Sequence, residues 1–236
     1  MTKKKTAIVL AAGQGKRMQS KVQKQYLLLK GKPVLFYCLK ALEESFIDEV
    51  ILVTGKGEEE YCRKEIVERF GFSKVTKIVT GGKERYHSVI NGIKAVEDCD
   101  YLFIHDGARP FLDDGILERT YAGVQVNKAC VAAMPVKDTI KISDEKGFAK
   151  ETPKRNLVWT VQTPQVFDFA LIKKAYEKLE QEEESLGRKG ILVTDDAMVV
   201  EYLCDVPVKL IEGSYRNIKI TTPEDLRIAE AILEEE

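Results

Sequence analysis

The chain has 236 residues, 44% of them hydrophobic and 32% charged, and its 37 Lys+Arg against 38 Asp+Glu leave a formal charge of −1. Ordinary usage of Gly (16) and Pro (7) excludes a fibrous or disordered chain. Near-zero net charge excludes a broad nucleic-acid footprint but leaves room for a local anion pocket. Along the chain, Lys3, Lys4 and Lys5 precede an apolar run, Ala7 to Ala12, that Gly13, Gln14, Gly15, Lys16 and Arg17 end at once. That run is too short for a signal segment, and nothing approaches the roughly 18 apolar residues of a membrane helix. A soluble, cytoplasmic protein without membrane or nucleic-acid partners is expected.

Five short apolar runs read as strands covered on both faces: Thr6 to Ala11, Val50 to Thr54, Val75 to Val79, Tyr101 to Ile104 and Ala129 to Met134. Helical patterns lie between them, with one face of Val34, Leu35, Tyr37, Cys38 and Leu42 and another of Val89, Ile93 and Val96. This alternation predicts an α/β fold with a doubly wound, mostly parallel sheet. The pattern breaks over residues 136–158, where polar, weakly alternating flanks surround Asp144-Glu145-Lys146-Gly147. A projecting β-hairpin arm fits, and such a hairpin needs a surface to pack on, either its own domain or a second subunit. Trp159 to Pro164 returns to the body, and a helix is expected over Asp168 to Glu180 with Asp168 as its cap. Gln181 to Gly190 reads as a solvated loop. Thr194 is expected to cap a helix starting at Asp195, Val206 to Ile211 to form a strand, and Thr222-Pro223-Glu224-Asp225 to open the last helix. One domain spanning 1–236, with the arm inserted in it, is the reading.

Five widely spaced Cys (38, 62, 99, 130 and 204) without a CxxC read as buried free thiols, and two His are too few for a histidine-built metal centre. A hard, oxygen-liganded ion such as Mg²⁺ is compatible. The first strand runs straight into Gly13-Gln14-Gly15-Lys16-Arg17, at the strand end where open α/β sheets bind ligands. It is neither a P-loop, since Arg17 follows Gly15-Lys16 and no Gly stands at position 10, nor a dinucleotide fingerprint, since Met18 replaces the third Gly. A nucleoside triphosphate held by backbone amides with Arg17 and Lys24 survives both tests. Asp106, in His105-Asp106-Gly107-Ala108-Arg109-Pro110, follows a buried strand and could hold Mg²⁺ bridging phosphates or form a structural pair with Arg109. His105 reads as structural. Gly81-Gly82 permit close approach to a base, and Ser88 either caps the next helix or offers its hydroxyl. Lys219, flanked by apolar residues, reads as aimed rather than solvated.

These segments closely resemble the 2-C-methyl-D-erythritol 4-phosphate cytidylyltransferases, essentially end to end. The resemblance rests on Ala11 to Met18, Lys24-Gln25-Tyr26, Gly81-Gly82 to Arg85, Ser88-Val89 and His105 to Pro110. It continues through Asp138-Thr139, Arg155-Asn156, Gln162 to Gln165, Thr194-Asp195 and Glu212 to Lys219. It implies a Rossmann-like nucleotidyltransferase fold and a homodimer joined through the arm. CTP lies over the first loop, with Arg17 and Lys24 on its phosphates. Ala12, Gly13, Gly15, Gly82 and Ser88 meet the nucleotide, and Asp106 holds Mg²⁺. Thr194 and Lys219 of one subunit grip the acceptor with Arg109, Thr139 and Arg155 of the partner. Arg17, Lys24 and Lys219 are the implied catalytic cations.

Three departures stand out. Gln23 replaces a usual Pro, which implies a looser loop before ligand binds; Lys83 occupies a position acidic in some members; and the stretch Glu182 to Gly190 is longer than usual. The acceptor's phosphate oxygen is already a competent nucleophile, so no Ser-His-Asp arrangement is required. A ribitol 5-phosphate cytidylyltransferase would share the CTP side, and a non-catalytic nucleotide-binding protein would share the fold.

Overall fold

The computed structural model describes residues 3–13, 15, 18 and 22–235. Seven strands form the central sheet: β1 Lys5–Ala11, β2 Glu49–Thr54, β3 Val75–Thr80, β4 Tyr101–Asp106, β5 Ala129–Pro135, β6 Trp159–Asp168 and β7 Lys209–Glu212. Their order is β7-β5-β6-β4-β1-β2-β3. Neighbours pair in parallel except β6, which runs antiparallel between β4 and β5. The sheet is therefore mixed and mostly parallel, as expected. The Trp159 to Pro164 return is longer than its sequence suggests. It continues to Asp168 as a full inner strand, with a register shift between Val161 and Gln165 around the cis Thr163-Pro164 bond.

Side chains alternate across the sheet with period two. Ala7, Val9, Val50, Leu52, Phe103 and Val166 face one apolar layer, which α1 (Val34–Glu44) and α4 (Asp114–Asn127) cover with Leu35, Leu39, Leu42, Ile116 and Leu117. A short α2, Glu59–Tyr61, runs on as a π-helical stretch Cys62–Glu68 and adds Cys62 and Ile66 to that layer. Ile8, Ile51, Val53, Leu102, Ile104 and Phe167 face the other. There α3 (Arg85–Ala95), α5 (Phe169–Arg188) and α6 (Asp196–Cys204) supply Val89, Ile93, Ile172, Leu179, Val199 and Val200. Each such aliphatic side chain contributes about 1.5–3 kcal/mol by leaving water, so two covered faces hold the sheet. Helix α7 (Pro223–Glu234) closes a smaller cluster with Ala229 against Leu29, Val34, Phe111 and Ile220. Its start follows the sequence reading, with Thr222 as cap and Asp225 completing a capping box.

Three local expectations are corrected. Helix α5 does not stop at Glu180: Leu186, seven residues beyond the buried Leu179 and on the same face, is 3% exposed and carries the helix to Arg188. Asp195, not Thr194, caps α6, because its carboxylate accepts from Met198 N–H. The last strand begins at Lys209 rather than Val206. Within residues 136–158, Ile142–Ser143 pairs antiparallel with Ala149–Glu151, and every residue of this ladder is exposed.

Candidate active site

The carboxyl ends of β1, β3 and β4 converge on one cavity of about 650 Å³. Ala12, Gly13 and Gly15 form its floor beyond β1, and Gly15 adopts a left-handed φ of 61° that favours glycine. Lys24 begins a single 3₁₀ turn, Lys24–Tyr26, and also lines the cavity. That turn is braced from below. Gln25 is buried and donates to the Ala11 carbonyl, Gln23 bonds Glu58 and Gln25, and the Tyr26 hydroxyl donates to Glu58 Oε2 at 2.9 Å. The loop that lacks Pro at position 23 is thus tied through the side chain that replaces it. Arg17 and Lys16 lie outside the described residues.

The β3–α3 loop approaches from the other side. Gly81 donates its N–H to the Thr54 carbonyl at 2.7 Å and sits so near Ala12 that a Cβ there would collide with the Ala12 side chain. Ser88 lies inside α3 and is not its cap. Glu84 caps the helix, in a capping box with His87, while Ser88 Oγ accepts the Gly82 N–H at 3.1 Å and fixes the loop's shape.

Asp106 ends β4 and is 7% exposed. Lys219 Nζ lies 2.7 Å from its Oδ2, Arg85 Nε 3.3 Å from its Oδ1 and Arg109 Nε 4.0 Å from Oδ2. Burial alone would raise this carboxyl, but Arg85, Lys219 and Arg109 together hold it well below the usual carboxylate range. Arg85 spans to a second carboxylate, Asp196, with both terminal nitrogens at 2.8 Å. Three cations face two carboxylates, so one positive charge is left over for an anion. Burial lowers the Arg109 pKa by more than Asp106 restores, and its Nε finds no hydrogen-bond partner among the described residues.

Lys219 is aimed by its neighbours. Asn217, with no exposed surface, donates to the Thr163 carbonyl at 2.8 Å, Arg109 Nη1 donates to the Asn217 carbonyl at 2.7 Å, and Ile220 N–H donates to the Ala108 carbonyl at 2.8 Å. His105 is fully buried in one tautomer. The Arg109 carbonyl can only accept, so Nε2 carries the proton and donates to it at 3.2 Å, which leaves Nδ1 of the neutral ring to accept from Thr163 Oγ1, itself the acceptor of the Asp106 N–H. Burial drops this imidazole to about 4, which suits a neutral strut.

The cavity therefore gathers Ala12, Gly13, Gly15, Lys24, Gly82, Ser88, Asp106 and Lys219. Other candidate residues lie elsewhere. Thr139 and Arg155 are exposed beside the 142–151 ladder, where Arg155 Nη1 donates to the Lys137 carbonyl at 3.4 Å. Thr194 is exposed next to α6. Arg109 is 9% exposed, with its Nε 4.0 Å from Asp106 Oδ2 of its own chain. Among the described residues no group of three His, Cys, Asp or Glu side chains could cage a metal. Asp106 is a hard oxygen donor on a wall where triphosphate oxygens could supply the remaining ligands, an arrangement that suits Mg²⁺.

Sequence reasoning missed the Arg85–Asp196 pair and Gln165, whose Oε1 accepts the Asp196 and Ala197 N–H groups at 3.0 Å each. One signal was present. Two consecutive Asp at a helix start exceed what one cap needs, and a second carboxylate that is buried must find a cation.

The family model for 2-C-methyl-D-erythritol 4-phosphate cytidylyltransferase (IspD) matches residues 5–235. A protein of that name from Lachnoclostridium phytofermentans is 50% identical over 232 residues, covering 98% of this chain and 97% of the relative. A relative from Lachnospira eligens with the same name is 51% identical over 225 residues, covering 95% of this chain and 96% of its own. The crystal structure of 4-diphosphocytidyl-2C-methyl-D-erythritol synthase from Anaerococcus prevotii superposes with a TM-score of 0.84 at 36% identity, covering 98% of this chain and 96% of that one. With the match running nearly end to end and the cavity lined by the expected loops, the chain belongs to the 2-C-methyl-D-erythritol 4-phosphate cytidylyltransferase family.

Proposed function

We propose that this chain transfers the cytidylyl group of CTP to 2-C-methyl-D-erythritol 4-phosphate, releasing pyrophosphate and forming 4-diphosphocytidyl-2-C-methyl-D-erythritol in the non-mevalonate isoprenoid pathway. The observation that carries this reading is the meeting of Lys24, Asp106 and Lys219 with two glycine loops in one cavity. An acceptor phosphate oxygen attacks the α-phosphorus in line; the new P–O bond forms as the bond to the β-phosphate oxygen breaks, and pyrophosphate leaves with the electron pair. The chain's task is to bring two anions together and to hold charge on the equatorial oxygens, for which Arg17, Lys24 and Lys219 are the catalytic cations. Backbone at Ala12, Gly13, Gly15 and Gly82 receives the nucleotide, with Ser88 bracing Gly82. Mg²⁺ bound by Asp106 and the triphosphate would neutralise phosphate charge.

Thr194 and Lys219 of one subunit grip the acceptor, with Arg109 of a second copy. Thr139 and Arg155 come from the arm, residues 136–158, of a second copy. Two features support a homodimer of single-domain subunits joined there. Phe148 and Leu157 are each 71% exposed, and the arm's two binding residues lie outside the cavity of their own chain. Five free thiols suit a reducing cytoplasm, where CTP is made. The test is pyrophosphate release by the purified chain with CTP and Mg²⁺. Release with 2-C-methyl-D-erythritol 4-phosphate and not with ribitol 5-phosphate is expected, and the reverse preference would overturn the acceptor assignment.

A further inference from the structure

Arg85 opens α3 directly behind Gly81-Gly82 and lines the cavity, yet its guanidinium is already engaged. Nη1 and Nη2 each donate to one oxygen of Asp196 at 2.8 Å, and Nε donates to Asp106 Oδ1 at 3.3 Å. All three nitrogens thus face carboxylates before any phosphate arrives. Asp196 is a fixed post. It has no exposed surface, accepts the Tyr176 hydroxyl as well, and its backbone N–H is held by Gln165. A planar fork clamped on such a post fixes Nε in space, and Nε then fixes which way the Asp106 carboxylate turns. Oδ2 is left facing Lys219 at 2.7 Å.

We propose that Arg85, clamped by Asp196, is a positioning residue that orients the Asp106 carboxylate toward the ion and phosphates, and that Asp196 influences the reaction only through Arg85. A lysine at position 85 would keep the charge but could satisfy only one of the two carboxylates at a time. Without the negative post, the Arg85 fork would be free to close on both Asp106 oxygens and withdraw them from the cavity. The proposal rests on the reading that Asp106 holds the metal ion, and the experiment separates the two.

Full-chain variants Arg85→Lys, Asp196→Asn, Tyr176→Phe and Asp106→Asn are titrated with CTP in EDTA by calorimetry, and their CTP complexes with Mn²⁺ by electron paramagnetic resonance. Arg85→Lys and Asp196→Asn should bind metal-free CTP as the parent does. Their Mn²⁺ dissociation constants should rise about ten- to a hundredfold, the usual effect of losing a residue that orients a metal ligand. Turnover at fixed metal should fall and KM for CTP should rise in step with the metal dissociation constant, because the two are linked, and Tyr176→Phe should shift Mn²⁺ binding less in the same direction. If Asp196→Asn does not fold, Arg85→Lys and Tyr176→Phe decide. A purely structural clamp would lower melting temperatures and leave Mn²⁺ binding of the folded variants unmoved, which would overturn the proposal. Should Asp106→Asn alone weaken Mn²⁺ binding, only the role of Arg85 falls; should Asp106→Asn leave it unchanged, the metal assignment falls and this proposal with it.

Discussion

Lys219 Nζ lies 2.7 Å from Asp106 Oδ2, an ion pair that joins the segment ahead of α7 to the end of β4 at the wall of the cavity. The ammonium occupies the carboxylate oxygen that an entering metal ion would need. The same residue thus stabilises the site before ligands bind and competes for it as they arrive. Lys219→Met should accordingly move two measurements in opposite directions. Mn²⁺ binding to the CTP complex should tighten, while turnover falls roughly 10²–10³-fold, the scale for losing one oriented donor. Weaker Mn²⁺ binding in this variant would contradict the competition.

Lys24 sits on a turn held by Gln25 and Tyr26, so its backbone position does not depend on its own charge. Lys24→Ala should leave the fold intact and cost about 2–4 kcal/mol of activation free energy, with CTP affinity little changed. Arg17→Ala should behave alike. Steady-state turnover within a few-fold of the parent would remove either residue from the catalytic role.

His105 gives the fold a pH signature. Its folded pKa of about 4 lies below the ordinary value of 6.5 because burial disfavours the imidazolium. Between those values the unfolded chain binds a proton that the folded chain refuses, so stability is whole above pH 6.5 and drains as pH falls toward 4. The loss amounts to roughly 3 kcal/mol from this residue. Asp106, held ionised by its three cations, adds a slope of the same sign only toward pH 4 and below, where the unfolded carboxyl takes up a proton. Urea denaturation at several pH values should show the loss in the parent and a flatter profile in His105→Gln. Equal slopes would assign the effect elsewhere.

How much of this was legible in the sequence follows from how local each determinant is. The run into Gly13, the Thr222 cap and the Asp106 strand end are written in neighbouring residues, and all three were readable. Arg85 and Asp196 are 111 residues apart and meet only through the sheet, so no spacing rule could pair them. The inner strand β6 is hidden because Pro164 interrupts its alternation, so the sequence marks only a return to the body over Trp159 to Pro164, although pairing resumes at Gln165. The Gln181–Arg188 turns were hidden by their charge. Glu183 looked solvated, yet it accepts the Tyr86 hydroxyl at 2.8 Å and contacts His87, so part of the charge run braces the nucleotide loop's helix.

The hidden part of α5 has a measurable weight. Leu186 is 3% exposed against Leu179, Val199 and Leu203. Truncation to Ala should cost about 2–5 kcal/mol by lost transfer and the cavity left behind. Glu182→Ala on the solvent side should stay within about 0.5 kcal/mol. A destabilisation of Leu186→Ala no larger than that of Glu182→Ala would mean that the last two turns do not pack as described.

The arm makes the strongest demand on assembly. Arg155 is exposed and does not line its own chain's cavity, so its charge should reach only an acceptor bound in the other subunit. Arg155→Ala should weaken acceptor binding in calorimetric titrations and leave CTP binding near the parent's, whereas equal losses for both ligands would remove it from this role. The geometry of exchange predicts more. At acceptor concentrations where neither variant alone turns over, a mixed dimer of Lys24→Ala and Arg155→Ala chains has one cavity with an intact Lys24 that receives an intact Arg155 from its neighbour. The other cavity has neither. Random mixing in equal amounts makes half the dimers mixed, so activity should recover to about a quarter of the parent's after subunit exchange. If Arg155 served its own chain's cavity, every cavity in the mixture would lack one residue, and no activity would return.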